Sequence, residues 1–183
     1  MDKQKALEAV KEFLAAMGED LEREGLKDTP RRVVEAYAEF LSGNNMSASE
    51  VLSRTFAVDG GDMVLEKDIE FSSTCEHHLM PFFGKMAIAY IPDKKVVGLS
   101  KLARCVEVYA KRLQLQERLT SQVAEAVFKT LAPKGVMVVC EAEHTCMTCR
   151  GVKKAGSKTT SYTVLGDFPE EKKREALALI NAR

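Results

Sequence analysis

Two short segments carry all three histidines and three of the five cysteines of this 183-residue chain. The first segment is Cys75-Glu76-His77-His78, and the second is His144-Thr145-Cys146-Met147-Thr148-Cys149. Thiolate and imidazole are the ligands that zinc selects in proteins, in sets of three or four. The residue types in the two segments therefore predict one metal site to which both segments contribute.

The spacing within each segment indicates which side chains can reach one ion. Cys75 and His78 are separated by two residues, and in a turn that spacing lets both side chains meet one ion while His77 points elsewhere. His144 and Cys146 stand at the predicted end of a strand, where alternate side chains emerge on the same face. The second pair can therefore reach one site together, and His77 can approach from the first segment.

Two kinds of zinc site fit this pattern, and the spacing excludes neither. In an open site, Cys75, His78 and Cys146 bind the ion and a water takes the fourth position, which is the catalytic arrangement. In a closed site, Cys149 is the fourth ligand and the zinc is structural. The open site is favoured because the closed one leaves the other two histidines without a task, whereas imidazoles beside an activated water suit proton transfer. A third interpretation has buried thiols and scattered histidines without a metal.

The composition restricts the partners and the compartment. Acidic and basic residues balance at 27 each, so no overall field favours nucleic acid or an acidic membrane. No apolar run approaches the roughly 20 residues that a membrane span needs. The first residues resemble neither a signal peptide nor a transit peptide. An odd number of cysteines without a secretory signal favours a cytoplasmic protein with free or metal-bound thiols.

Hydrophobic periodicity indicates the elements that position the two segments. Residues 1–53 are predicted to form a helical arm, with one helix over 4–17 and a second that has Thr29 as N-cap and Pro30 in its first turn. Residues 54–183 are the predicted catalytic domain of an α+β protein. Strands are expected at 63–72, 85–91, 96–98, 136–142 and 159–165, and helices from Ser100, over 117–131 and after Asp167. The run 136–142 is nearly unbroken in apolar residues, which indicates a strand buried on both faces.

A group of basic residues could hold an anion near the metal. Ser100-Lys101-Leu102-Ala103-Arg104 opens a predicted helix, and helix N-termini attract phosphate. Arg150, Lys153, Lys154 and Lys158 follow the second metal segment. This pattern favours a phosphorylated substrate, although a solvated basic face is the simpler interpretation of the helix alone. Neither a P-loop nor a dinucleotide-binding glycine motif occurs.

Glu117 is a candidate for recognising a guanine base. Its carboxylate could accept two N–H groups from the edge of guanine, or it could complement the dipole at the start of the helix over 117–131. Taken alone, the residue favours the second role.

Several motifs together resemble the GTP cyclohydrolase I family over roughly residues 29–168. The matching pieces are TPRRV at 29–33, STCEHHLMPFFGKMAIAYIP at 73–92, GLSKLAR at 98–104, QERLT at 116–120 and HTCMTCRG at 144–151. The resemblance implies zinc ligands, catalytic histidines, a guanine anchor and triphosphate contacts. The implied zinc ligands are Cys75, His78 and Cys146, and the implied catalytic histidines are His77 and His144. Glu117, with Gln116 beside it, would anchor the guanine. The implied triphosphate contacts are Ser100, Lys101, Arg104 and Arg150. Arg32 matches a family arginine.

The resemblance also implies a fold, a reaction and an assembly. The fold would be the tunnelling fold, an antiparallel four-stranded sheet with two helices between its second and third strands. The reaction would convert GTP and water to 7,8-dihydroneopterin triphosphate and formate, the first step of pterin or folate-type biosynthesis. The assembly would be a homo-oligomer, typically a decamer of two pentamers with active sites at subunit interfaces.

One departure from the family pattern and two rival functions bear on this expectation. Cys149 stands where the family usually has another residue. It could be the fourth ligand of a closed zinc site, or it could be an oxidation partner for Cys146. Other enzymes of the tunnelling fold, such as a pterin aldolase, an epimerase or a nitrile reductase, lack this combination of cysteines and histidines. A structural-zinc module without catalysis is the rival from a different class.

Overall fold

A computed structural model describes residues 1–182, and the chain divides into two compact units, Met1–Ser42 and Gly43–Arg183. In the first unit, α1 (Lys3–Ala16) packs on α2 (Thr29–Phe40). The N-cap of α2 is Asp28 and not Thr29, because the helix already includes Thr29. The predicted arm, 1–53, continues past this unit into residues of the second. That residues 54–183 form a catalytic domain stays a prediction.

The second unit contains five further helices and seven strands among the residues that the structure describes. Its helices are α3 (Ala48–Val51), α4 (Leu99–Ala110), α5 (Gln116–Leu131), α6 (Thr145–Thr148) and α7 (Glu170–Asn181). Its strands are β1 (Thr55–Ala57), β2 (Val64–Cys75), β3 (Pro81–Ile91), β4 (Lys95–Val97), β5 (Leu113–Gln114), β6 (Gly135–His144) and β7 (Lys158–Gly166). The predicted mixture of helices and strands is therefore confirmed.

The main sheet has five strands in the order β5-β2-β3-β6-β7. The four long strands pair in antiparallel fashion, and two-residue β5 adds a parallel edge beside the end of β2. The sheet thus has one strand more than the expected four. The additional strand, β5, is too short to show the alternation of apolar and polar residues that indicates a strand in the sequence. The predicted piece at 96–98 is β4, which pairs with β1 in a separate two-stranded sheet.

The core lies between the sheet and the helices α4 and α5, which follow β3 in the chain and precede β6. Leu102, Val106, Leu119 and Val123 point from the two helices into this core and are fully buried. Burial of side chains of this size stabilises the fold by roughly 1.5–3 kcal/mol each. A smaller apolar cluster joins Ala89 and Met137 of the sheet to Phe168 and to Ala176 of α7.

Strand β6 is buried on both faces in its first half, as the apolar run predicted, whereas one face becomes exposed at Glu141. Val136, Val138 and Cys140 face the main core, whereas Met137 lies in the smaller cluster. Antiparallel pairing with β3 and β7 holds β6 on both edges. The strand is therefore fixed along its length, and its end provides a rigid base for the residues that follow. No helix of the described residues is long and apolar enough to cross a membrane.

Candidate metal centre

The first metal segment is a tight turn between β2 and β3. Cys75 is the last residue of β2, and its N–H donates to the carbonyl of Met80 at 2.8 Å. The N–H of Leu79 donates back to the carbonyl of Cys75 at 2.9 Å. Leu79 has φ of 55°, a left-handed conformation that closes the turn. The turn leaves His77 and His78 exposed and positions His78 beside Cys75.

The second segment leaves the sheet at the end of β6. His144 is the last residue of the strand, and Cys146 lies in the single helical turn α6. The hydroxyl of Thr145 anchors this turn by donating to the carbonyl of Pro81 at 2.6 Å. The expectation that His144 and Cys146 share one face of a strand is therefore wrong, because the chain turns into α6 between them.

The structure brings the three predicted ligands together. One ligand atom each of Cys75, His78 and Cys146 lies within 4.8 Å of the other two, and the Cys75 Sγ to His78 Nδ1 distance is 3.9 Å. Tetrahedral zinc with bonds of about 2.0–2.3 Å requires ligand atoms roughly 3.3–3.8 Å apart. The donor set therefore fits a zinc ion, and its ligand atoms would move somewhat closer together on binding.

The electrostatics of the two thiols suit a cation. Burial raises the pKa of Cys146, and the neighbouring Cys75 raises it further because two thiolates repel each other. Arg150 acts in the opposite direction by stabilising the Cys146 thiolate. A divalent cation between the sulfurs would reverse the repulsion and favour both thiolates.

Cys149 stands apart from this group in the described chain. Its side chain is exposed, and its Sγ donates to the carbonyl of Thr145 at 2.9 Å, one turn earlier in the chain. It is absent from the set of ligand atoms that converge on one point. The geometry therefore supports three protein ligands and not the closed four-ligand site.

The two remaining histidines differ in their surroundings. His77 is exposed, and its ring centroid lies 6.1 Å from that of His78. The His144 ring stacks on the buried Phe82, with centroids 4.5 Å apart and an interplanar angle of 6°. Burial lowers the pKa of His144, and the charge of nearby Glu117 partly offsets that effect. His144 is thus a fixed imidazole with a preference for its neutral form.

An ion-pair network that the sequence analysis missed joins the first metal segment to α5. Arg118 binds the carboxylate of Glu76, which stands between Cys75 and the histidine pair. The same guanidinium donates to the Gln114 side chain and to the Leu113 carbonyl, both at 3.0 Å. This ion pair lowers the pKa of Glu76. Each of the two sequence motifs contains one of these charged residues, Glu76 or Arg118, but nothing in the sequence indicates that the two side chains form an ion pair.

The predicted substrate residues fall into two sets. Gln116, Glu117 and Arg150 lie near the metal segments: Gln116 hydrogen bonds to His144, and Glu117 and Arg150 act electrostatically on His144 and Cys146. The other set is Ser100, Lys101 and Arg104 on the first turns of α4. Within residues 1–182, no hydrogen bond or ion pair joins this α4 set to the metal ligands.

Two further expectations concern the start of α4 and Arg32. The helix starts at Leu99 with Gly98 as N-cap, so Ser100 lies in its first turn and does not cap it. Arg32 is exposed on α2 and pairs with Asp28 at 3.5 Å.

Fold and site together define a mixed α/β protein with a Cys-His-Cys group able to hold a metal ion. A sequence model of GTP cyclohydrolase I matches residues 6–181. GTP cyclohydrolase 1 of Clostridium perfringens is 57% identical over 171 residues, or 93% of this chain and 92% of the relative. That of Carboxydothermus hydrogenoformans is 57% identical over 183 residues, or 98% of this chain and 95% of the relative. The chain therefore belongs to the GTP cyclohydrolase I family of hydrolases.

Among solved structures, the apo form of an archaeosine synthase QueF-Like protein is similar to 60% of this chain and 98% of its own, with a TM-score of 0.47 and 18% identity.

Proposed function

We propose that this protein is a zinc-dependent hydrolase that converts GTP and water to 7,8-dihydroneopterin triphosphate and formate. The observation that carries the proposal is the convergence of Cys75, His78 and Cys146 near the half-buried imidazole of His144, in a chain of the GTP cyclohydrolase I family. Three protein ligands leave one coordination position open, which is typical of catalytic zinc. When bound, zinc would supply the Lewis acidity that activates water at neutral pH.

We assign the proton transfers to His144 and His77. The reaction adds water at C8 of guanine, opens the imidazole ring and releases formate, after which the sugar rearranges and closes the pterin ring. The addition of water at C8 releases a proton and ring opening requires one at N7. His144 is suited to accept the first proton and return it at N7, because its ring is held in place and prefers the neutral form. His77 is exposed on the same turn as His78, and we assign it a second proton transfer or contact with the sugar.

We assign substrate binding to Glu117, Arg150 and the α4 set, which the family resemblance named. Glu117 is exposed in the first turn of α5 and lies near His144, so a guanine held by its carboxylate would occupy the same site as that imidazole. Arg150 would bind the triphosphate from the metal side. The α4 set of Ser100, Lys101 and Arg104 would bind it from a helix N-terminus.

We also propose a tunnelling fold, a homo-oligomeric assembly and a cytoplasmic location. The four long antiparallel strands with α4 and α5 between the second and third support the fold. Exposed Phe56, Leu99 and Tyr162 support an assembly that covers them. Because no hydrogen bond or ion pair joins the α4 set to the metal ligands in the described chain, we infer that it completes the site of a neighbouring subunit, in a decamer of two pentamers.

The test of this function uses matched cysteine variants. Zinc-loaded protein is incubated with GTP, and formate and the fluorescence of the oxidised pterin are measured, together with bound zinc. Cys75→Ser should reduce bound zinc from about one ion per chain to below about a tenth and abolish both products. Cys149→Ser, the control in an exposed position, should change neither.

Two results would contradict the proposal. Loss of zinc in Cys149→Ser would indicate the closed, structural site. A zinc-loaded protein that releases no formate from GTP would refute the hydrolase function.

A further inference from the structure

Gln116 is buried, and its side chain forms hydrogen bonds within the protein, whereas a residue that recognises a base needs polar groups free to contact it. It is the first residue of α5 and only 2% exposed. Its side-chain nitrogen donates to the carbonyl of Cys140 at 3.1 Å and to that of Thr159 at 2.9 Å, and lies 3.2 Å from the Ser161 hydroxyl. Its side-chain oxygen lies 2.9 Å from His144 Nε2. Both amide hydrogens are thus directed at the sheet and not at a ligand.

These partners determine which way the Gln116 amide points. The carbonyls of Cys140 and Thr159 only accept hydrogen bonds, so the NH₂ group must face them. The side-chain oxygen therefore faces His144, and since an amide oxygen only accepts, His144 Nε2 must carry the hydrogen. A neutral imidazole has one N–H, which leaves Nδ1 as the nitrogen with a free lone pair.

A stacking contact keeps the His144 ring in this orientation. Phe82, fully buried, stacks against it at 4.5 Å with nearly parallel planes. The register of β3 and β6 produces this contact, because Phe82 is the direct partner of His144 in the ladder. Within residues 1–182, Nδ1 of His144 forms no hydrogen bond. The ring is therefore held at one edge and on one face, with its second nitrogen left for a ligand.

We propose that Gln116 is a positioning residue that holds His144 as the tautomer protonated at Nε2 and directs Nδ1 to the reacting base. The inference rests on the proposed function, because it takes His144 as the catalytic imidazole. It replaces guanine contact as the role of Gln116 and leaves base recognition to Glu117. Carbonyls of β6 and β7 hold the amide, so the central sheet itself fixes the tautomer.

Steady-state kinetics separate positioning from substrate contact. Gln116→Ala should lower kcat about 10–100-fold, the usual loss when the hydrogen-bond partner of a functional histidine is removed, with the KM for GTP changed less than about twofold. A guanine contact predicts the reverse, a raised KM with kcat retained. Ser161→Ala is the matched control, since it removes a neighbour of the Gln116 nitrogen and leaves the contact with His144. Its kcat should stay within about twofold of the parent.

A spectroscopic measurement tests the tautomer without turnover and without a variant of Gln116. Solid-state ¹⁵N NMR of zinc-loaded protein labelled on histidine has only three imidazoles to resolve. His77→Asn identifies one signal, and zinc shifts that of His78. The remaining imidazole should carry its proton on Nε2. A proton on Nδ1, or an average of both tautomers, would overturn the inference.

The two measurements distinguish this inference from the proposed function. An Nε2-protonated His144 in a protein that does not act on GTP would refute the function and leave the positioning intact. An active enzyme in which Gln116→Ala keeps the parental kcat would refute the positioning and leave the function intact.

Discussion

Glu117 and Gln116 are neighbours in the chain with opposite surroundings. The Gln116 amide is buried in hydrogen bonds to the sheet, whereas the Glu117 carboxylate is exposed and close to His144. An exposed carboxylate beside the catalytic imidazole can accept two N–H groups from a purine edge. Under the proposed function, Gln116 would hold the catalytic imidazole and Glu117 would hold the substrate.

The assignment of Glu117 predicts a loss of base recognition. Removing a charged hydrogen-bond acceptor costs roughly 1.5–3 kcal/mol, so Glu117→Ala should raise the KM for GTP about 10–100-fold. Competition by inosine triphosphate, which lacks the 2-amino group of guanine, should become nearly as effective as that by GTP. Glu125→Ala is the control, because Glu125 lies on the same helix and pairs with exposed Lys129 at 2.9 Å. Unchanged discrimination in Glu117→Ala would mean that its carboxylate serves the helix dipole.

The convergence of Cys75, His78 and Cys146 could be predicted from sequence, because thiols and imidazoles gathered in two short segments seldom serve any purpose but metal binding. The contacts that hold them could not be predicted. Phe82 reaches His144 only through strand register, and Arg118 reaches Glu76 across a long separation in the chain. Residue types indicate chemistry, but register and helix placement decide which groups support it.

At the scale of elements, Arg118 connects three of them at the metal site. Its guanidinium holds the turn after β2 through Glu76, the Leu113 carbonyl of β5 and the Gln114 side chain, and Arg118 itself lies on α5. The N–H of Glu76 also donates to the Gln114 carbonyl at 3.0 Å. The turn that carries Cys75 and His78 is therefore tied to the helix that carries Glu117.

This connection predicts a metal-site defect without unfolding. Arg118→Ala should weaken zinc affinity about 10–100-fold, the range found when residues that orient metal ligands are removed. The thermal transition of the metal-free protein should change little, because partly exposed ion pairs contribute at most about 1 kcal/mol. Competition with a chelating dye measures the affinity, and Lys129→Ala on the same helix is the control. Parental zinc affinity in Arg118→Ala would contradict the connection.

The elements themselves were predicted to within a few residues, with the errors at their ends. β2 and β6 each continue beyond the predicted end, to Cys75 and His144. In both cases the extension consists of polar residues or metal ligands, which interrupt the apolar pattern although the backbone continues to pair. The single turn α6 and the short β5 were missed because neither contains a full period of its structure.

At the scale of the whole molecule, the position of the α4 set predicts shared active sites. Ser100, Lys101 and Arg104 have no hydrogen bond or ion pair with the metal ligands within residues 1–182, and Leu99 beside them is 61% exposed. An isolated chain leaves this apolar and basic surface open to solvent. A neighbouring subunit that brings its metal group to this surface would cover Leu99 and complete the site.

Subunit mixing tests the shared site. Cys75→Ser lacks the metal group and Arg104→Ala lacks a triphosphate contact, so each alone should be nearly inactive. If the two groups come from different subunits, random co-assembly at equal amounts should restore about a quarter of the sites. If both groups come from one chain, the mixture should be no more active than the sum of its parts, and that result would refute the shared site. Mixing Cys75→Ser with itself provides the baseline.

The fold class was predictable because the periodic patterns that indicate its helices and strands extend over long stretches of the sequence. The alternation of apolar runs and helical periods over 63–166 indicated both the mixture and the order of the elements. The partner of the short strand at 95–97 was not predictable, since three residues pair equally well with any nearby edge. It pairs with β1, outside the main sheet.

The proposed ligands come from places far apart along the chain, residues 75–78 and 146, and the strand pairing that joins their segments runs up to Thr74 and His144 beside them. An ion bound there would join the β2–β3 turn to the segment after β6 by a link that does not depend on the backbone, and it would close a long loop of the chain. Zinc availability would thus affect the stability of that corner as well as its reactivity. In a cell short of zinc, the protein would keep its fold and lose its activity.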